Sequence, residues 1–268
     1  MSSASIRRSS DCRSGPIDVS TVRSAVALLT RFPVATADTD APGAAAFGVV
    51  GALVGVAGAI PLAALSGPVH ERWLGAIAAL GVMAIVTGAL HLDGLADTAD
   101  ALVARDPEAA ERARRDPTLG IGGVLTIVLV VAAEVAALVS LAASAGHERA
   151  GAVLVGVTAT SRVVPVVAAF AVVRGTRSGD ATLGSWFVGR VSAADAVVAV
   201  ASAVLVVTFL TLATGGPVVA SAGAGAAAFG VSAAAAIVTL RRGLDGDGMG
   251  AIVELSLLGG LATAAVAS

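Results

Sequence analysis

The sequence contains no tyrosine, no lysine and only one cysteine. A single cysteine excludes an intramolecular disulfide and any metal site built from several cysteines, so Cys12 is expected to be an isolated thiol. Aromatic residues make up 3% of the chain and charged residues 13%. The shortage of tyrosine and tryptophan leaves almost no aromatic belt, which removes one usual sign of a membrane protein but not the others.

The residues that are present are mostly apolar. Hydrophobic residues account for 56% of the chain, and the mean hydropathy of +0.90 lies well outside the range of soluble proteins. Apolar runs long enough to cross a bilayer recur along the sequence. These runs predict an all-α, polytopic membrane bundle of about seven transmembrane helices. The expected spans are 43–66, 73–91, 120–145, 150–173, 196–213, 218–240 and 250–268.

The N-terminal region differs from the rest in composition. Residues 1–20 are rich in serine, arginine and aspartate and contain no apolar core of a signal peptide, so we expect a disordered cytoplasmic tail. Residues 21–268 are expected to form one integral-membrane catalytic domain. Within it, the apolar segment 21–36 carries Arg23 and Arg31 and is too short to span, which predicts a position at the membrane interface.

Arginine is the only strongly basic residue, and its distribution is very uneven. Fourteen of the 17 arginines lie in the N-terminal region and in three predicted loops, whereas only Arg72 and Arg149 fall on the opposite side. The three loops are 91–119, 174–195 and 241–249. Because arginine favours the cytoplasmic side, the N-terminal region and these three loops are expected to lie in the cytoplasm, and an active site is expected to face inward. Acids share this face, and a mixture of acids and arginines favours a metal-assisted phosphate site over a cation channel.

The segment 91–100, HLDGLADTAD, carries the strongest functional signal. Asp93, Asp97 and Asp100 stand at i, i+4 and i+7, so on a helix all three carboxylates share one face and repel each other. A bound Mg²⁺ would relieve the repulsion, since it takes a few carboxylates together with waters and substrate phosphates. The alternative is a solvated helix extension below the second span. His91 is either a metal ligand or base, or a simple interface or capping residue.

A second polar segment follows with the sequence RRDPTLGIGG. Arg114 and Arg115 precede Asp116 and a proline that favours a helix start, and glycines including Gly120 leave backbone N–H groups open to an anion. This pattern favours a phosphate site. The alternative is a positive flank with glycines for helix packing, in which Asp116 is only an N-cap.

The remaining polar candidates lie in or near predicted spans. Asp247 and Glu254 are seven residues apart in a glycine-rich segment that lacks full EF-hand spacing, and Glu254 falls about one turn inside the last span. Arg162 and Glu134 lie mid-span and should both face the bundle interior. They either take part in function or pair with each other in a purely structural role, and the sequence favours neither.

Several blocks together resemble the cobalamin synthase family, the adenosylcobinamide-GDP ribazoletransferases. In order along the chain, the blocks are TRFPV at 30–34, HLDGLADTAD at 91–100, Arg115-Asp116 with Leu119-Gly120, Ser161-Arg162, GSWFVG at 184–189, and Gly246-Asp247 with Glu254. The similarity runs from about residue 30 to about residue 258, and the HLDGLADTAD block is highly specific. Two departures are a short, charged segment at 103–113 and Ile121 at a position where a polar or aromatic residue is common.

The resemblance implies an activity in the nucleotide-loop assembly of vitamin B12. A hydroxyl of α-ribazole, or of its 5′-phosphate, attacks the cobinamide-linked phosphate of adenosylcobinamide-GDP, and GMP leaves. The family uses Mg²⁺ and sits in the lipid of the cytoplasmic (inner) membrane. No nucleic acid partner is expected, and the oligomeric state stays open, a homo-oligomer included.

The resemblance and the demands of phosphoryl transfer together imply residue roles. Asp93, Asp97 and Asp100 would hold Mg²⁺, while Asp247 or Glu254 would complete the metal shell or accept the hydroxyl proton. Arg115, with Arg31 and Arg114, would hold the departing GMP phosphate. Further substrate-binding positions are His91, Asp116, Gly120 and Arg162.

Two other classes of protein compete with this interpretation. A CDP-alcohol phosphotransferase also uses intramembrane aspartates and Mg²⁺, but its motif requires Ala-Arg where this chain has Asp97-Thr98. A cation-coupled transporter would show inverted repeats with interrupted spans, and no convincing repeat is visible in the sequence.

Overall fold

A computed structural model describes residues 17–35, 41–65, 67–104, 118–172, 183–241 and 243–268. Within these ranges the protein is built from α-helices and one 3₁₀ turn, Ala44–Ala46, without a β-strand, which confirms the predicted all-α class. The helices are α1 (Val19–Leu29), α2 (Phe47–Ala64), α3 (Val69–Thr87), α4 (Leu90–Val103), α5 (Ile121–Ser144), α6 (His147–Val172), α7 (Leu183–Val188), α8 (Ala193–Thr214), α9 (Val218–Arg241) and α10 (Gly246–Ala267).

Seven of these helices are long and apolar enough to cross a membrane, as the sequence predicts. They are α2, α3, α5, α6, α8, α9 and α10. Three boundaries differ from the prediction by four residues: the second span runs from Val69 to Thr87 where 73–91 is predicted, and the last span begins at Gly246 where 250 is predicted. Helix α1 has only 11 residues, so it is too short to span, and Asp18 caps its start by accepting a hydrogen bond from the Thr21 N–H.

The chain breaks sharply between α3 and α4. Gly88 (φ 66°) and Ala89 (φ 56°) both adopt the left-handed conformation, which an α-helix cannot continue through. Their N–H groups donate to the carbonyls of Ala84 and Ile85 and thereby close the end of α3. The aspartates therefore lie on a separate helix, α4, and not on an extension of the second span.

Helix α6 lies in the centre of the bundle and is the most buried of the seven spans. It packs against α2, α8, α9 and α10, and α10 packs in turn along α9 and across α4. Short connections reverse the chain between α2 and α3, α5 and α6, and α8 and α9. The opposite ends of these spans are joined by the longer segments that contain α4 and α7. Consequently α4, α7 and the start of α10 lie at one end of the bundle.

Candidate functional site

The site is organised by a close crossing of α4 and α10. A Cβ atom placed on Gly94 would lie 2.8 Å from the carbonyl oxygen of Asp247, and one placed on Gly250 would lie 3.1 Å from the Gly94 Cα. Only glycine lets two helix backbones approach this closely. The crossing brings Asp93, in the first turn of α4, and Asp247, in the first turn of α10, to the same cavity.

This cavity has a volume of about 300 Å³, and we call it the aspartate cavity. Its polar lining residues come from α4, α6 and the segment at the start of α10. The polar residues are His91, Asp93, Arg162, Asp245 and Asp247. The rest of the wall is apolar, and its side chains are Leu28, Leu29, Phe47, Leu90, Pro165, Leu183, Phe187, Met249 and Val253. Carboxylates, a guanidinium and an imidazole therefore face one space that is otherwise apolar.

The start of α10 supplies two of these carboxylates in different roles. Asp245 is the N-cap, and its side chain accepts a hydrogen bond of 2.9 Å from the Gly248 N–H. Asp247 lies in the first turn, where the helix dipole stabilises a negative charge. The sequence predicts that the last span begins at residue 250. It therefore does not predict that Asp247 lies in the helical turn that Asp245 caps.

The three aspartates of α4 have different surroundings although their spacing is regular. Asp93 is exposed and borders the aspartate cavity, whereas Asp97 is half-buried and does not line it. The Asp100 carboxylate accepts hydrogen bonds of 2.8 Å from the N–H groups of Gly120 and Gly123. It therefore caps the N-terminus of α5 and ties that helix to α4.

The cap by Asp100 bears directly on the predicted phosphate site at Gly120. The N–H groups that the sequence offers to a substrate phosphate are paired here with a carboxylate of the chain itself. A Cβ atom on Gly120 or Gly123 would collide with that carboxylate, so both glycines serve this contact. Substrate binding by Gly120 stays a prediction.

The donor set fits magnesium. Among the described residues, no three His, Cys, Asp or Glu side chains converge as a group that could hold a metal ion. Magnesium does not require such a group, since it is usually bound through one or two carboxylates, with waters and substrate phosphates completing the octahedron. Asp93 and Asp247, which line the same cavity, provide the two carboxylates for such a site.

A second cavity of about 260 Å³ lies deeper in the bundle, and we call it the glutamate cavity. Its charged residues are Glu134 on α5, Arg162 on α6 and Glu254 on α10, which are between 2% and 6% exposed. Arg162 also borders the aspartate cavity. Glu134 and Arg162 thus line the same cavity in the bundle interior, as the sequence predicts. Arg162 donates a hydrogen bond of 2.8 Å to the Ser161 hydroxyl. No ion pair joins Arg162 to either glutamate within the described residues.

Asp247 and Glu254 consequently face different spaces. Seven residues correspond to two helical turns, or roughly 10 Å along the axis. This spacing places both residues on one face of α10, two turns apart, so Asp247 borders the aspartate cavity and Glu254 borders the glutamate cavity.

His91 is almost fully buried at the start of α4, and its Nδ1 atom has no hydrogen-bond partner. Burial, and to a lesser extent the positive charge of Arg162, lowers the pKa of His91 to about 3. The imidazole is therefore neutral at physiological pH. A neutral, weakly basic imidazole is better suited to hydrogen bonding with a substrate than to general base catalysis.

The predicted arginines differ in how far the structure describes them. Arg31 donates its backbone N–H to the Val86 carbonyl at 2.8 Å, and its side chain lies over Gly88 at the end of α3. It is exposed near the start of α4 but does not line either cavity. Arg114, Arg115 and Asp116 lie outside the described residues.

Sequence reasoning missed the aromatic wall of the aspartate cavity. Phe187 on α7 and Phe47 at the start of α2 are buried, and their ring centroids are 5.5 Å apart. The signal that could have identified Phe187 is the GSWFVG block at 184–189, which resembles a family segment but does not by itself indicate a role for the phenylalanine. Phe47 has no distinguishing local pattern, because it stands in an ordinary apolar span.

Comparisons with known proteins agree with the resemblance noted in the sequence. Adenosylcobinamide-GDP ribazoletransferase from Thiobacillus denitrificans is 49% identical over 90 residues, which is 33% of this chain and 36% of the relative. The protein of the same name from Allorhizobium ampelinum is 38% identical over 121 residues, 45% of this chain and 47% of the relative. The one from Pyrobaculum aerophilum is 41% identical over 112 residues, 41% of this chain and 46% of the relative.

These alignments each span less than half of the relative's length. No solved structure matches the chain significantly. A family model matches a much larger part of the chain. This model, described as cobalamin-5-phosphate synthase, matches residues 21–265, from α1 to the last turn of α10. The chain belongs to the cobalamin-5-phosphate synthase family.

Proposed function

We propose that the protein is a Mg²⁺-dependent membrane transferase that joins adenosylcobinamide-GDP to α-ribazole or its 5′-phosphate and releases GMP. The observation that carries this proposal is the crossing of α4 and α10, which brings Asp93 and Asp247 to one cavity beside Arg162. Family membership and the names of the relatives support the choice of substrates.

The chemical step is a displacement at phosphorus. The acceptor's hydroxyl oxygen forms a bond to the cobinamide-linked phosphorus, the bond from that phosphorus to the bridging oxygen breaks, and GMP leaves with this oxygen. The hydroxyl proton passes to a carboxylate. Such a step needs neutralised charge and in-line positioning more than covalent help from the protein.

Asp93 and Asp247 are the proposed magnesium ligands, and Asp97 and Asp100 are the other two carboxylates of the predicted set. When bound, the ion supplies positive charge to the pyrophosphate oxygens and stabilises the departing phosphate. Asp247 is a better candidate than Glu254 for accepting the hydroxyl proton, because Glu254 borders the deeper glutamate cavity. Asp100 is proposed to act indirectly, by fixing α4 on the end of α5.

Arg162 and His91 complete the proposed site from the bundle interior. The Arg162 guanidinium is planar and can bind two oxygens of one phosphate, and the low-dielectric surroundings strengthen that contact. The neutral His91 imidazole can donate or accept one hydrogen bond. Arg31 at the end of α3, with Arg114 and Arg115, stays the proposed set for the GMP phosphate.

The proposed location is the cytoplasmic (inner) membrane, with the aspartate cavity open toward the cytoplasm. The cavity lies at the end of the bundle that carries α4 and α7, and these helices fall in the loops richest in arginine. Membrane lipid would surround the seven spans.

The direct test is mass analysis of products from protein purified in detergent and supplied with both substrates and Mg²⁺. We expect adenosylcobalamin or its 5′-phosphate together with GMP. Asp93→Asn should abolish both products, whereas the matched control Glu148→Gln, an exposed acid outside both cavities, should not. Failure of the folded wild-type protein to form product would contradict the proposal, and turnover of a CDP-alcohol would favour the rival enzyme class.

A further inference from the structure

The aspartate cavity is lined by both charged and apolar side chains, and this mixture suggests how the two substrates are arranged. We infer that the cavity is the acceptor subsite: the aromatic base of the ribazole nucleoside lies against Phe47 and Phe187, and the corrinoid donor stays outside with only its pyrophosphate at the aspartates. This inference rests on the proposed function and adds a location for each substrate.

Cavity size separates the two substrates. A volume of about 300 Å³ is at the lower end for sites that enclose a small organic ligand. A nucleoside is a ligand of that size. A corrin ring with its amide side chains and adenosyl group is several times larger, so it cannot enter between these walls as they stand.

The apolar wall suits a flat aromatic base. The Phe47 and Phe187 rings are tilted by 32° with centroids 5.5 Å apart, and Leu183 borders the same space. Aromatic groups gain both from apolar burial and from offset or tilted contacts with other rings. A phosphate or a diphosphate would gain nothing from this wall, whereas a benzimidazole-type base would.

Two unpartnered polar atoms mark the cavity as a ligand site. His91 is 5% exposed and Arg162 is 3% exposed, and both residues line the cavity. The His91 Nδ1 and the Arg162 Nε have no hydrogen-bond partner. Buried polar groups nearly always have one, so both atoms retain the capacity to form a hydrogen bond with a bound molecule. Water could also satisfy them, but it would gain nothing from the apolar side chains that line the same cavity.

The walls also set the orientation of the acceptor. With the base against Phe47 and Phe187, the ribose is proposed to lie beside Asp93 and Asp247, which line the same cavity. A ribose hydroxyl there faces both the proposed proton acceptor and the pyrophosphate of a donor at the cavity mouth. Contact with the base is thus predicted to determine which nucleoside is used, without contact with the donor.

The inference can be tested by calorimetric titration of α-ribazole, without donor, into protein in lipid nanodiscs. Phe187→Ala is expected to weaken binding by about tenfold or more, because truncation removes most of the aromatic contact. Phe187→Leu should keep part of the affinity. Phe209→Ala is the matched control, since Phe209 is 69% exposed on α8 and touches neither cavity.

Kinetics with both substrates distinguish this inference from the proposed function. In the Phe187 variants we expect the KM for α-ribazole to rise while the KM for adenosylcobinamide-GDP stays within about twofold of wild type. A rise in the donor's KM alone would overturn the acceptor subsite and leave the enzymatic activity intact. A wild-type protein that forms no product would overturn the proposed function itself.

A ligand series on the wild-type protein keeps the test independent of how the variants fold. We expect α-ribazole to bind at least about tenfold more tightly than ribose 5-phosphate, because only the former carries an aromatic base. Equal affinities would contradict the inference.

Discussion

At the scale of single residues, the three regularly spaced aspartates of α4 have separate tasks. Their spacing correctly predicts a shared helical face, but the neighbours of that face depend on which helices cross α4. The aspartate cavity lies beside Asp93, and the start of α5 lies beside Asp100. Sequence reasoning could not separate these tasks, because they depend on how α5 and α10 pack against α4.

Asp100 should therefore matter for stability as a helix cap. Asp100→Ala is expected to lower the free energy of unfolding by about 1–2 kcal/mol, because two N–H groups at the start of α5 lose their acceptor. Asp93→Ala should have little effect, since Asp93 is exposed. Thermal unfolding of both variants in the same detergent measures the difference. Equal unfolding temperatures would contradict the capping role.

His91 should make the fold sensitive to acid. Its folded pKa of about 3 lies below the usual value of 6.5, so the unfolded chain binds an extra proton between these two pH values. Stability should consequently fall as the pH is lowered from 6.5 toward 3, by up to about 1.4 kcal/mol per pH unit from this group. His91→Gln cannot gain this charge.

The check is to compare unfolding temperatures of wild type and His91→Gln at pH 7 and pH 5. The wild type is expected to lose more stability between the two pH values than the variant does. Identical losses would mean that His91 is protonated in the folded protein, or that it is not buried as described.

At the scale of helices, apolar length predicts the seven spans well, but local geometry at their ends is harder to predict. The left-handed Gly88–Ala89 pair cannot be foreseen at Ala89, because alanine normally favours helix continuation. Likewise, an apolar pattern alone does not show that α10 begins at Gly246, since the charged Asp247 lies inside the helix. Both boundaries determine which carboxylates reach the aspartate cavity.

The close crossing of α4 and α10 predicts that one added methyl group at Gly94 will lower the activity. Gly94→Ala should push α4 away from Asp247 and lower turnover by about tenfold or more, because small displacements of reacting groups strongly reduce rates. The matched control is Gly81→Ala on α3, where an added Cβ meets nothing within 4 Å. Steady-state rates at saturating substrate provide the comparison. Equal effects of the two substitutions would exclude a special role for the crossing.

At the scale of the whole molecule, the described helices α4 and α7 and the start of α10 place the aspartate cavity at one end of the bundle. Reporter fusions after Ser144, at the end of α5, and after Gly189, before α8, lie on opposite ends of the bundle. We expect a periplasmic-side signal at Ser144 and a cytoplasmic signal at Gly189, because arginine-rich loops remain inside. The same signal at both sites would contradict the topology and the inward-facing cavity.

The central claim is that α4 and α10 together hold one magnesium-dependent phosphoryl-transfer site. A double-mutant cycle of turnover numbers with Asp93→Asn, Asp247→Asn and the double variant tests it most directly. If both carboxylates serve the same ion, each single change should reduce turnover at least about a hundredfold, and the double variant should be scarcely worse. Independent losses that multiply, or near-normal turnover of either single variant, would contradict the claim.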